Sequence, residues 1–171
     1  MPESMTPASA TFLLADTLAT ERAGAAVAGA LKAAARRGAV VVCLEGELGA
    51  GKTTLARGLL RTLGHTGRVP SPTYTLVEPY ELDGLRVHHL DLYRLADEEE
   101  LLFLGATDWL DSPGLTLVEW PARAPGLLAQ ADLRLTLSLV PSGRSLAVQA
   151  DASWLAAVRG ALTQALKSDI A

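Results

Sequence analysis

Between residues 46 and 53 the chain reads Gly46-Glu-Leu-Gly-Ala-Gly51-Lys52-Thr53, a full G-x-x-x-x-G-K-T phosphate-binding loop. Such a loop constrains the fold because it works only between a strand and the helix that follows, and both flanks fit. Val40 to Leu44 is a short, largely β-branched run that reads as a buried parallel strand, and Thr54 to Leu63 reads as a helix closed by Gly64. Gly46, Gly49 and Gly51 let backbone N–H groups turn toward phosphate, and the helix N-terminus adds a favourable dipole. Lys52 is placed to reach the outer phosphates and Thr53 to put its hydroxyl on Mg²⁺, with Ala50 and Thr54 completing the nucleotide-binding run. A glycine-rich turn can also merely join a strand to a helix. Lys52-Thr53 and the two correct flanks favour a nucleoside triphosphate site.

With 171 residues, 49% of them hydrophobic, the chain suits one domain whose core closes without disulfides or a structural metal. The expectation is a single three-layer α/β P-loop NTPase domain over residues 10–171, with a parallel core, antiparallel hairpins and a disordered tail at residues 1–9. Cys43, the one cysteine, lies within the apolar strand and fits a reducing compartment, hence the cytoplasm. Residues 1–9 show no basic start leading into an apolar stretch, and no window approaches the roughly 18 apolar residues of a membrane span. A soluble, unprocessed protein without a membrane partner is expected. The net charge of −4 speaks against tight binding to RNA or DNA by this chain alone. Arg36-Arg37, and Arg57 with Arg61, read as solvated helix faces or as a small basic spot for an acidic partner.

Along the chain, Thr11 to Leu14 reads as a short strand and Asp16 as the N-cap of an Ala/Leu helix running to about Arg37, where Gly38 stops it. Val69 to Pro72 breaks regularity. Two extended runs, Thr75–Leu82 and Leu85–Asp91, flank an Asp83-Gly84 turn and predict a hairpin. An acidic helix is expected over Asp97–Leu104, then a helical turn over Thr107–Leu110, a buried strand at Leu115–Val118, a second hairpin from Leu133–Val140 and Ser145–Ala150, and a helix over Trp154–Leu166.

Two carboxylates at strand ends are candidates for the metal side of the loop, since the C-terminal ends of parallel strands open onto the ligand crevice. Glu119 follows a clean apolar strand; Asp91 follows the more polar Val87-His-His-Leu90. Each has an ordinary alternative as a helix cap or ion-pair partner. Ser71-Pro-Thr-Tyr-Thr75 is a hydroxyl-rich, proline-stiffened segment suited to sensing a γ-phosphate, or equally a plain loop into the hairpin. His88 and His89 alternate across a strand without metal-ligand spacing, and Trp120 is either packing or a reporter of nucleotide. With no Asn and three lysines the chain has no guanine-reading Asn/Thr-Lys-x-Asp, which favours ATP over GTP.

These motifs, in this order, resemble the TsaE (YjeE) family of bacterial P-loop ATPases needed for threonylcarbamoyladenosine formation in tRNA. The resemblance spans about Asp16 to Asp132 through Gly46–Thr54, Ser71–Glu78, His89–Leu95 and Val118–Pro121. It implies Lys52 and a sensor role for Thr73 in catalysis, Asp91 and Glu119 as metal-side or catalytic acids, and Thr17 and Thr20 beside the adenine. It implies TsaB- and TsaD-type partners, with tRNA reached only through them. Glu98 and Leu102 depart from the family pattern, where proline and an acid are usual. The resulting expectation is a Mg²⁺-dependent ATPase that binds and resets a partner complex. The alternatives are a small-molecule kinase, disfavoured by the absence of an Arg-rich lid, and a nucleotide-gated binding module with incidental hydrolysis.

Overall fold

Val40 to Leu44 form the middle of a strand whose neighbours on both sides run parallel to it, so its apolar side chains are buried on both faces. The computed structural model describes residues 7–167. Its strands are β1 (Ala8–Leu14), β2 (Ala39–Glu45), β3 (Val77–Leu82), β4 (Leu85–Asp91), β5 (Gly114–Glu119), β6 (Leu133–Val140) and β7 (Gly143–Ala150). Its helices are α1 (Thr17–Ala35), α2 (Lys52–Thr62), α3 (Glu100–Phe103), α4 (Ala106–Leu110), α5 (Pro125–Leu128) and α6 (Ala152–Lys167). The strands form one mixed sheet in the order β1-β7-β6-β2-β5-β4-β3. β4, β5, β2 and β6 make the parallel core, and the antiparallel hairpins β3–β4 and β6–β7 extend it, with β1 antiparallel on β7. Both expected hairpins and the parallel pairing of the two expected core strands are present.

Alternation along β2 divides the interior in two. Val40, Val42 and Leu44 pack with apolar residues of α1, α2 and α6, whereas Val41 and Cys43 pack with Leu90, Val118, Leu101 and Leu127 on the opposite face. Helices cover both faces, giving a three-layer arrangement. At the start of α1 the Ala19 N–H donates to Asp16 Oδ1 at 2.7 Å, a cap worth about 1 kcal/mol. α1 and α2 approach backbone to backbone: a Cβ on Gly24 would strike the Leu55 carbonyl oxygen and one on Gly58 the Glu21 carbonyl oxygen. This crossing seats the helix that carries Lys52 and Thr53.

Several boundaries differ from the sequence reading, and three of them have a clear physical cause. β1 begins at Ala8, so Ala8 and Ser9 belong to a strand and not to a tail. They pair with Ala150 and Gln149, partners too remote in sequence for local composition to reveal. The expected disorder of residues 1–6 lies outside the described residues. α2 starts at Lys52, two residues early, because the loop feeds straight into it. The acidic helix contracts to Glu100–Phe103, since its first residues cap instead of coil: Glu100 Oε1 accepts the N–H groups of Ala96 and Asp97, and Asp97 Oδ1 that of Glu99. Among the described residues no helix is long and apolar enough to cross a membrane.

Candidate functional site

The loop from Gly46 to Gly51 leaves the C-terminal end of β2 and enters α2. Gly46 and Gly51 hold φ of 146° and 108°, where an L side chain is strained, and a Cβ on Gly46 would also strike the Leu137 carbonyl oxygen. Lys52, only 5% exposed, is folded back on the loop: its Nζ donates to the carbonyls of Gly46 at 2.6 Å and Glu47 at 2.9 Å, and lies 4.2 Å from the centre of the Trp120 ring. Burial lowers its pKa from the usual lysine value, with the charges of Glu119 and Asp91 opposing that shift.

Parallel pairing of β4 and β5 sets Asp91 directly beside Glu119 at the open end of the sheet. Both are nearly fully buried. Thr53 Oγ1 donates to Glu119 Oε1 at 3.0 Å, and His89 Nε2 lies 2.8 Å from Glu119 Oε2. Asp91 Oδ2 accepts from Ser71 Oγ and Thr73 Oγ1, each at 2.8 Å, while Asp91 Oδ1 accepts the Tyr93 N–H at 3.0 Å. One carboxylate thus meets the loop helix and the other meets the hydroxyl-rich segment. A cavity of about 320 Å³ opens between them, lined by Gly49, Gly51, Lys52, Thr53, Thr54, Ser71, Thr73, Asp91 and Glu119, with Arg94 and Arg144 at its walls.

The expected residues gather unevenly. Lys52, Thr53, Thr73, Asp91 and Glu119 surround one cavity. Gly46 and Ala50 face a neighbouring cavity of about 730 Å³ walled by Trp120 and Leu137. Thr20 is buried, bonds its own helix through Oγ1 to the Asp16 carbonyl, and flanks Gly51 without lining the 320 Å³ cavity. Thr17 is exposed one turn earlier and does not line it.

Sequence reasoning overlooked Arg94, Arg144 and the His89 contact. Arg94 stacks on Tyr74 at 4.4 Å, and its position three residues after Asp91 was a usable sign. Arg144 donates from Nε to the Ala50 carbonyl at 2.8 Å; nothing local marked it, because the β6–β7 hairpin returns it to the loop from far along the chain.

The donors near the cavity that suit a cation are oxygens: the Thr53 hydroxyl and the carboxylates of Asp91 and Glu119. Among the described residues no three His, Cys, Asp or Glu side chains converge on a metal cage. A hydroxyl with one or two carboxylates suits Mg²⁺, which commonly completes its shell with phosphate and water.

A family model described as "Threonylcarbamoyl adenosine biosynthesis protein TsaE" matches residues 14–146. The Haemophilus influenzae protein named tRNA threonylcarbamoyladenosine biosynthesis protein TsaE is 47% identical over 108 residues, 63% of this chain and 68% of its own. A Synechocystis protein of the same name is 42% identical over 122 residues, 70% of this chain and 74% of its own. The crystal structure of Bacillus subtilis YdiB has the same fold, with a TM-score of 0.69 at 24% identity over 94% of this chain and 98% of that one.

Proposed function

This chain belongs to the TsaE family and has its role in tRNA threonylcarbamoyladenosine biosynthesis, and from that premise we propose that it is a Mg²⁺-dependent ATPase acting on a TsaB/TsaD-type complex. The observation that carries the reading is the meeting of Lys52, Thr53, Thr73, Asp91 and Glu119 around one cavity at the strand ends. Gly46 to Thr54 bind the phosphates of ATP through loop N–H groups, and Lys52 leaves the carbonyls of Gly46 and Glu47 for the outer phosphates. Thr53, Glu119 and Asp91 hold Mg²⁺, which when bound neutralises charge on the phosphates. Thr73, hydrogen-bonded to Asp91 in this state, is the γ-phosphate sensor, so the Ser71–Thr75 segment changes partners between ATP and ADP. Thr17 and Thr20 take the adenine side, supported by Thr20 beside Gly51.

ATP binding favours docking to the partners, hydrolysis resets the complex, and tRNA is reached only through them. The lone buried Cys43 agrees with a cytoplasmic setting. A reconstituted reaction with TsaB- and TsaD-type proteins, threonylcarbamoyl adenylate and tRNA tests this, alongside ATP hydrolysis measured with and without the partners. Multiple turnovers should require this protein and ATP. Full turnover in its absence rejects the role, and stoichiometric phosphate transfer to a small molecule makes it a kinase. Partner binding gated by ATP but without hydrolysis makes it a binding module.

A further inference from the structure

Two adjacent histidines on β4 have opposite surroundings. His88 is half-buried and stacks on Trp109, with ring centres 4.4 Å apart. His89 is fully buried, on the strand face it shares with Asp91. The one hydrogen bond of its ring among the described residues runs from Nε2 to Glu119 Oε2 at 2.8 Å, and its buried Nδ1 has no partner there. For packing alone an apolar side chain would serve this position better, since it leaves no ring nitrogen unmet. What the imidazole adds is one directed donor. The other oxygen of Glu119 accepts from Thr53, so the carboxylate is held from two sides, by β4 and by α2.

We propose that His89 is a positioning residue for Glu119: its Nε2–H fixes one carboxylate oxygen, so that the other is presented at the Thr53 hydroxyl where the cation would lie. The inference rests on the ATPase reading for its kinetic consequence, but the hydrogen bond itself does not. Without the donor, Oε2 is buried and unpaired, and the carboxylate is free to rotate off Thr53. The loop N–H groups and Lys52, assigned above to the phosphates, share no hydrogen bond with the His89 ring among the described residues, so the loss concerns Mg²⁺ and not nucleotide as such.

His89→Leu should raise the Mg²⁺ concentration giving half-maximal ATP hydrolysis by roughly tenfold to a hundredfold, the range seen when a group orienting a metal ligand is lost. Binding of ADP in excess EDTA should match the parent protein. His89→Gln, which keeps an N–H, should recover most of the Mg²⁺ response. An unchanged Mg²⁺ response in folded His89→Leu overturns the proposal, as does a loss that His89→Gln does not relieve. Independently of how the variants fold, long-range ¹H–¹⁵N correlation on the parent protein should place the His89 hydrogen on Nε2; a hydrogen on Nδ1 alone overturns it. If the parent protein neither binds nor hydrolyses ATP, the functional reading fails while that hydrogen assignment still decides the positioning claim.

Discussion

On the face of the sheet carrying Val40, Val42 and Leu44, helices of 19, 11 and 16 residues pack into a broad core; on the face carrying Val41 and Cys43, the cover is helices of four, five and four residues. The first face closes by backbone contact at Gly24 and Gly58. The second leaves Leu102 63% and Phe103 91% exposed. Between them lies the cavity, with Lys52 and Thr53 fixed on α2 while the Ser71–Thr75 segment is tied down by the Ser71 and Thr73 hydroxyls on Asp91, by backbone bonds through Leu76 and by the Tyr74–Arg94 stack. Close-packed helices seat Lys52 and Thr53, and under the proposed ATPase reading the bonds of the Ser71–Thr75 segment are the ones that a ligand exchanges. The contrast can be broken from either side.

The largest effect belongs to the fixed side. Lys52→Ala should weaken ATP binding by about a hundredfold or more and abolish partner-dependent turnover, because charge-assisted contacts to the phosphates are lost. Its melting temperature should not fall, since a buried ammonium is removed along with the bonds that satisfied it. Equilibrium titration and thermal melts read both; near-normal ATP affinity in the folded variant would refute the site. Next comes the helix crossing. Gly24→Ala forces a methyl group onto the Leu55 carbonyl and should cost about 1–3 kcal/mol in chemical denaturation, with weaker nucleotide binding as α2 shifts. Parent-like stability would mean that the backbones are not so closely locked.

On the fixed side the loop and its strand were legible, and the helix crossing was not. The Gly46–Thr53 spacing named its own flanks, and a parallel β2 followed from five apolar residues in a row. Asp91 and Glu119 could be nominated as strand ends, but that they are register partners, each with its own hydroxyl donor, needed the three-dimensional pairing of β4 with β5. Gly24 and Gly58 looked like ordinary helix residues, because no local pattern says which backbone will press against them. Arg144 and Ala8 were hidden for the same reason, being placed by contacts with segments far along the chain. The acidic segment misled because Asp97 and Glu100 serve equally as helix surface and as caps, and capping won.

Cys43 sharpens the contrast from inside the thin face. Burial, reinforced by the charge of Glu45, pushes its thiol from an ordinary 9.0 up to about 12. The folded protein therefore holds this proton more tightly than the unfolded chain. Its contribution to stability is complete below pH 9 and is lost as pH rises from about 9 to about 12. At pH 8 the native thiol should resist alkylation and react freely only in denaturant. In a variant that moves the cysteine to the thick face, Val42→Cys with Cys43→Val, labelling should be slower still, because opening there requires moving α1 and α2. Equal labelling rates would show that the two faces open together.

The smallest effect is expected at Phe103 of α3, where the contrast is most easily overturned. Leu101 is the buried residue of that turn, 4% exposed, whereas Phe103 projects into solvent. Phe103→Ser should shift stability by no more than about 0.5 kcal/mol, under about 2 °C in Tm for a chain of this size. Leu101→Ala should cost about 2–3 kcal/mol by opening a void beside Leu127 and Leu95. If Phe103→Ser were instead as costly as Leu101→Ala, the second core would extend through α3 to its outermost side chain. The thin cover would then be a packed layer, and the division between a fixed face and an exchangeable one would have to be redrawn around the Ser71–Thr75 segment alone.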